Sequence, residues 1–190
     1  MQKFIVEGGV TLSGSITPSG NKNEALPVLA AALMANEPVI IHNVPEILDI
    51  SIMKDLLSGI GVVIKQSDKH SYHIDSGHIN NNPDQKNAIR IRGSFLLAGP
   101  LLARKKSVFL PAPGGDRIGL RPVQTHLSAL EKLGTRINLN DKGFYEMETD
   151  GLKGAEIYLD EASVMATENS IMAAVTAQGR TNIYNAACEP

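Results

Sequence analysis

Residues 39–75 read VIIHNVPEILDISIMKDLLSGIGVVIKQSDKHSYHID, and the fold follows from how this stretch is parsed. Val39–His42 is a short β-branched run that predicts a strand. Asn43-Val44-Pro45 is a turn. Ile47, Ile50, Met53 and Leu57 then recur at helical spacing, which predicts a helix over about 47–57 with those residues on one face. Gly59 and Gly61 stop it, Val62–Lys65 returns as a strand, and a polar turn at 66–69 leads into a second strand, Tyr72–Asp75. In front of this stretch stands PSGNKNEALPVLAAALMA, residues 18–35. It predicts a helix capped by Ser19 or Asn21 and running to about Ala35. Pro27 is placed near its first turn, and its apolar residues lie nearly all round, which predicts burial. Further upstream, Lys3–Val6 and Thr11–Ile16 predict two short strands broken by Gly8-Gly9.

The same order then recurs. Ala88–Ile91 predicts a strand, Gly93–Arg104 an apolar helix, and Ser107–Leu110 a strand. Val123, Leu127, Leu130 and Leu133 mark another helix face, stopped by Gly134, and Arg136–Leu139 with Phe144–Met147 predict a hairpin. A third copy opens at Ala155–Leu159, continues with a helix at about Thr167–Gln178, and reaches a strand at Asn182–Tyr184. NAACEP then follows that strand as NVPE follows the first. The period is roughly 70 residues, so each copy is a small βαβαββ layer rather than a solenoid turn. The fold class is α/β (α+β). The third copy ends at Pro190 where its second helix is due, so the pattern predicts an N-terminal piece of a longer protein.

At 190 residues with 43% apolar content the chain suffices for one good core. A net charge of -2 gives no general field for nucleic acid or an anionic membrane. Aromatics at 4% and no Trp argue against base-stacking platforms. The one cysteine, Cys188, forms no internal disulfide, which suits a reducing compartment. No signal-peptide h-region opens the sequence, and the longest apolar run, Ala25–Met34, is too short to span a bilayer. A soluble, cytoplasmic protein is expected.

The chemistry concentrates in PAPGGDRIGLRP, residues 111–122. Gly114 and Gly115 permit backbone angles other residues resist, and Arg117 and Arg121 offer planar forks suited to phosphate or carboxylate. Asp116 is the only carboxylate among them. The loop alone fits a solvated turn with a salt bridge as well as a mobile anion-binding loop with a proton donor at its tip. Lys22 opens the first apolar helix and Arg92 stands at the matching place in the second copy. A cation there opposes the helix dipole, by about several tenths of a kcal/mol, and a bound anion reverses that penalty. Asn23 adds a donor and an acceptor suited to a sugar or amide. Metal-ligand spacing is lacking among His42, His70, His73, His78 and His126, apart from the weak pair His70 and His73, and no Walker loop or GxGxxG opens a helix. No metal and no cofactor are expected.

GNKNEALP, RIRGSFLLAGPLLAR, PGGDRIGLRPVQTHLSALEKLG and SVMATENSIMAAVTAQG together resemble the UDP-N-acetylglucosamine enolpyruvyl transferases, and the resemblance runs to Pro190. It implies the enolpyruvyl transferase fold that EPSP synthase shares: two inside-out α/β domains of three βαβαββ units each, with substrate between them. Residues 1–20 would then be strands of the second domain, and 21–190 most of the first, cut within its third unit. It further implies transfer of the enolpyruvyl group of phosphoenolpyruvate to the 3'-hydroxyl of UDP-N-acetylglucosamine, which opens bacterial peptidoglycan synthesis in the cytoplasm. Lys22, Arg92 and Arg121 would hold phosphate and carboxylate, and Asn23 the amino sugar. Arg121, Pro122, Val123, Gln124 and Thr125, with Glu161, Ser163 and Val164, would line the uridine side. Asp116 stands where the family usually has the cysteine that fosfomycin alkylates, which implies an Asp proton donor and an insensitive enzyme. Met165 stands where glycine is usual and Cys188 where arginine is usual. The partners implied are the two small substrates and the missing C-terminal domain of the same chain, so the 190-residue piece alone is expected to be inactive. A non-catalytic nucleotide-sugar-binding scaffold and an EPSP synthase-like enzyme are the competing expectations.

Overall fold

The computed structural model describes residues 3–115 and 122–188. Asn21 opens the first helix, α1 (Lys22–Ala31), by accepting the backbone N–H of Asn23 on its side chain. This cap satisfies one of the donors that a helix start leaves over. Pro27 sits beyond the first turn rather than in it, and the helix tolerates it there. α1 continues as a 3-10 turn at Ala32–Met34. Its burial is one-sided, not all round: Ala25, Leu26, Leu29 and Ala30 are covered while Val28 is 40% exposed.

The parsed stretch then forms β1 (Val39–Ile41), α2 (Leu48–Gly59), β2 (Val63–Asp68) and β3 (Ser71–Asp75). Ile50, Ile52, Met53, Leu56 and Leu57 give α2 its buried face. Ile47 is the residue before the helix and stays exposed, because its extended backbone takes it off that face. β3 is the central strand, antiparallel to both β1 and β2. The second unit repeats this topology with β4 (Ser107–Pro111), α5 (Gln124–Lys132), β5 (Thr135–Leu139) and β6 (Phe144–Thr149), where β6 is central and antiparallel to β4 and β5. The third unit supplies β7 (Glu156–Tyr158) and β8 (Asn182–Tyr184), a parallel pair bridged by α6 (Val164–Ala174). Units one and two hold the last three strands of the four-stranded βαβαββ pattern and unit three the first two.

Four expectations are corrected. Ala88–Ile91 is not a strand: Asp84 accepts the Asn87 N–H and starts a short helix, α3 (Gln85–Ala88). The apolar helix after it begins as a 3-10 segment, Arg92–Leu97, before becoming α4 (Ala98–Lys105). Lys3–Val6 and Thr11–Ile16 form no strands either; Phe4 is 99% exposed and Leu12 and Ile16 are 92% exposed. A strand is made by a partner's backbone groups, and among the described residues none pairs with these. α6 starts before the expected Thr167, since Ser163 caps it by accepting the N–H of Ala166.

The helices form the interior. α4 and α5 both pack on α6, and α1 packs on α2 and on α6. Phe95, Leu97, Leu101, Leu57 and Leu130 lie at 1% exposure or less, while most of β2 and every second residue of β6 face outward. Sheets outside and helices inside is the inside-out arrangement. No helix among the described residues is long and apolar enough to cross a membrane.

Candidate functional site

Two units bring their leading cations to one end of the helical core. Gly93 lies against the methyl groups of Leu26, so the start of the second unit's helix meets the second turn of α1. Lys22, the first residue of α1, extends to Asp49 in the first turn of α2, with Nζ 3.1 Å from Oδ2. Asn23 gives its backbone N–H to the Asn21 cap and keeps an exposed side chain beside Lys22. Arg92 donates from Nη2 to the Pro122 carbonyl at 3.0 Å.

Arg92 also touches both described ends of the 111–122 stretch. A Cβ on Gly114 would overlap the Ile89 carbonyl oxygen, and one on Gly115 would crowd the Arg92 backbone nitrogen at 3.3 Å. Gly115 takes φ 101°, a region that glycine enters without strain. The outgoing limb of the loop therefore lies on residues 89–92, and the returning limb is tied to Arg92 through Pro122. Asp116 and Arg121, the expected proton donor and anion clamp, lie outside the described residues.

After the loop, Val123 is buried ahead of α5 and Thr125 is buried within its first turn. Gln124 is exposed and reaches Ser128 at 3.5 Å. At the start of α6, Ser163 caps the helix and Val164 follows half-buried, while Glu161 is exposed and accepts the Ser163 N–H on its carbonyl. The structure thus joins Arg92 with Pro122 and sets Lys22 beside Asn23 at the same end.

Beneath this surface lies a polar core that the sequence reading passed over. Asn169 of α6 is fully buried. Its Oδ1 accepts the Gly99 N–H at 2.7 Å, and its Nδ2 donates to the Phe95 carbonyl at 3.0 Å. These bonds fix the amide, so the remaining Nδ2 hydrogen points to His126 Nδ1, 3.2 Å away. His126 is 2% exposed, packs edge-on to Phe95, and carries its hydrogen on Nε2, which has no partner among the described residues. Burial first, and the nearby Arg92 charge second, push its pKa down to about 4, so the ring is neutral at pH 7. One asparagine therefore ties together the segment that begins at Arg92, the first turn of α5, and α6. Aligning the two copies on their stop glycines would have exposed it: His126 stands where the first unit has the core residue Met53.

The chain matches the family described as EPSP synthase (3-phosphoshikimate 1-carboxyvinyltransferase) over residues 6–190. It belongs to that family. Within the EPSP synthase family it is 48% identical over 189 residues to the UDP-N-acetylglucosamine 1-carboxyvinyltransferase of Bradyrhizobium diazoefficiens, covering 99% of this chain and 43% of that protein. It is 44% identical over 192 residues to the enzyme of the same name from Treponema pallidum, covering 100% of this chain and 44% of that one. The chain therefore spans less than half the length of these curated relatives. Among solved structures, the enolpyruvyl transferase NikO from Streptomyces tendae superposes with a TM-score of 0.78 at 21% identity, over 93% of this chain and 41% of NikO. An EPSP synthase from Acinetobacter baumannii gives 0.72 at 21% identity, over 93% and 41%. The inside-out α/β fold is the enolpyruvyl transferase fold.

Proposed function

We propose that this chain is the N-terminal part of a UDP-N-acetylglucosamine enolpyruvyl transferase. The observation that carries the reading is a cation at the head of each of two neighbouring units, one of them seated at the root of the PGGDRIGLRP loop. Identity of 48% to a carboxyvinyltransferase across 99% of the chain supports the choice of acceptor. Phosphoenolpyruvate brings a phosphate and a carboxylate together, and binding it requires several converging cations. Lys22, Arg92 and Arg121 take that role, Asn23 meets the amino sugar, and 121–125 with Glu161, Ser163 and Val164 line the uridine side. No metal or organic cofactor enters.

The reaction balances without a redox partner. The sugar 3'-hydroxyl gives its proton to a carboxylate base in the rest of the protein, and its oxygen bonds to the second carbon of phosphoenolpyruvate as the methylene carbon gains a proton. The tetrahedral adduct then loses that proton's equivalent and expels phosphate, restoring the double bond. Asp116 supplies the proton. A free aspartic acid has a pKa of about 3.9 and is ionised at neutral pH, so closure over the anionic substrates must desolvate it and raise that value. A carboxylate lacks the soft nucleophilicity of a thiolate, which makes the enzyme insensitive to fosfomycin. Closure needs the rest of the protein, whose sheet also receives the exposed residues 3–16. The setting is the bacterial cytoplasm, at the entry to peptidoglycan synthesis and hence cell shape and division.

Phosphate release from the full-length protein tests this. Release is expected only with phosphoenolpyruvate and UDP-N-acetylglucosamine together; release with shikimate 3-phosphate instead would favour the EPSP synthase reaction, and no release with either acceptor would leave a scaffold. Asp116→Cys should remain active and become covalently labelled by fosfomycin, whereas an adduct on the wild-type loop would contradict the role given to Asp116.

A further inference from the structure

We propose that Asp49 is a positioning residue for Lys22, holding its ammonium group in the orientation that the enolpyruvyl-transfer reading requires. The pair spans two helices, with Nζ 3.1 Å from Oδ2. Its placement suits neither member equally. Lys22 stands at the positive end of α1, where a cation is disfavoured, while Asp49 stands in the first turn of α2, where a carboxylate is favoured. Asp49 is thus held by its own helix and Lys22 is held by Asp49.

Stability does not account for the pair. The two side chains are 46% and 36% exposed, and exposed ion pairs between long side chains contribute little. The internal repeat gives the stronger argument. α2 and α5 each end at a glycine in the left-handed region, Gly61 at φ 104° and Gly134 at φ 92°. Counted back from those glycines, Asp49 and Pro122 occupy the same place. Pro122 is the residue whose carbonyl receives Arg92. In both units, then, the cation that heads the first helix is received by an acceptor at the root of the second. The first unit uses a carboxylate and the second a backbone carbonyl, which suits a flexible ammonium and a planar guanidinium respectively.

An ammonium group has three donors. One directed at Asp49 leaves two for an oxyanion, and their direction is set before the ligand arrives. The carboxylate also repels a dianion. Asp49 therefore costs ground-state affinity and contributes orientation, and the two effects separate in kinetics.

The test is steady-state phosphate release by the full-length protein, with phosphoenolpyruvate varied at saturating UDP-N-acetylglucosamine, for wild type, Asp49→Asn and Asp49→Glu. Asp49→Asn should lose about 10-fold or more in kcat, with KM for phosphoenolpyruvate unchanged or lower and the thermal midpoint unchanged. Asp49→Glu, which keeps the carboxylate, should regain most of the lost kcat. Wild-type kcat in Asp49→Asn overturns the proposal alone. So does a fall in kcat accompanied by a raised KM and a lowered midpoint, which marks a merely structural residue. A full-length wild type that releases no phosphate overturns the functional reading, and the positioning role with it.

Discussion

The first and second units are one design carried out twice. Ile50 and Val123, Met53 and His126, Leu57 and Leu130, Ile60 and Leu133 occupy matching places ahead of Gly61 and Gly134, and all eight are buried. The difference lies at the place of Met53 and His126. In the first unit that place holds an apolar thioether, and the link from β1 to α2 is a short turn. In the second it holds a neutral imidazole bonded to Asn169, and the link from β4 to α5 is the long glycine-rich loop. A buried polar group that needs a dedicated partner destabilises unless fully satisfied. It occurs in one copy only, close to Arg92, and it is the main difference between the cores of the two units.

The largest test of that contrast is pH. His126 has a pKa of about 4 when folded, below its ordinary 6.5. The unfolded chain therefore binds the proton first, so the associated stability is present above about 6.5 and is lost as pH falls toward 4. The shift corresponds to roughly 3 kcal/mol. His126→Met, which copies the first unit, should remove this part of the pH dependence. Urea unfolding of both proteins at pH 7 and pH 4.5 checks it, and equal pH dependence in the two would break the comparison.

A second test uses the close approaches at the head of each unit. A Cβ on Gly20 would overlap the Asn43 carbonyl oxygen, and a Cβ on Gly114 would overlap that of Ile89. The glycine lies before the helix in the first unit and after the strand in the second, yet it serves the same contact. Gly20→Ala and Gly114→Ala should each cost about 1–3 kcal/mol. A drop in thermal midpoint for one alone would show that the two contacts are not equivalent.

The smallest effect is expected on the outer sheet. Arg136 and Asp150 form an exposed pair at 2.7 Å, which lowers the Asp150 pKa. Arg136→Ala should leave thermal unfolding unchanged, as Asp49→Asn should. A clear loss in either would mean that exposed pairs stabilise this fold, and would remove the argument that Lys22–Asp49 exists for function.

Much of the fold was legible because its signals are local. Asn182–Tyr184 reads as a strand and is one, and Gly134 ends a helix because only the left-handed region lets the chain turn there. What failed depended on partners. Ala88–Ile91 has strand composition, but Asp84 offers a cap and the backbone takes it. Lys3–Val6 and Thr11–Ile16 have the right pattern and no pairing strand among the described residues. The site was half legible for the same reason. Lys22, Asn23 and Arg92 announce themselves at helix starts, whereas Asp49 is met from another helix of the same unit and His126 and Asn169 bond to each other across units.

The central claim is that the leading cations of the two units serve one anion. A double-mutant cycle in the full-length protein tests it, using kcat/KM for phosphoenolpyruvate with Lys22→Ala, Arg92→Ala and the double variant. Residues that grip one ligand are coupled. The account predicts that each single change is strongly damaging and that the double variant loses markedly less than the product of the two. Strictly multiplicative losses would mean that Lys22 and Arg92 act independently, and would contradict it.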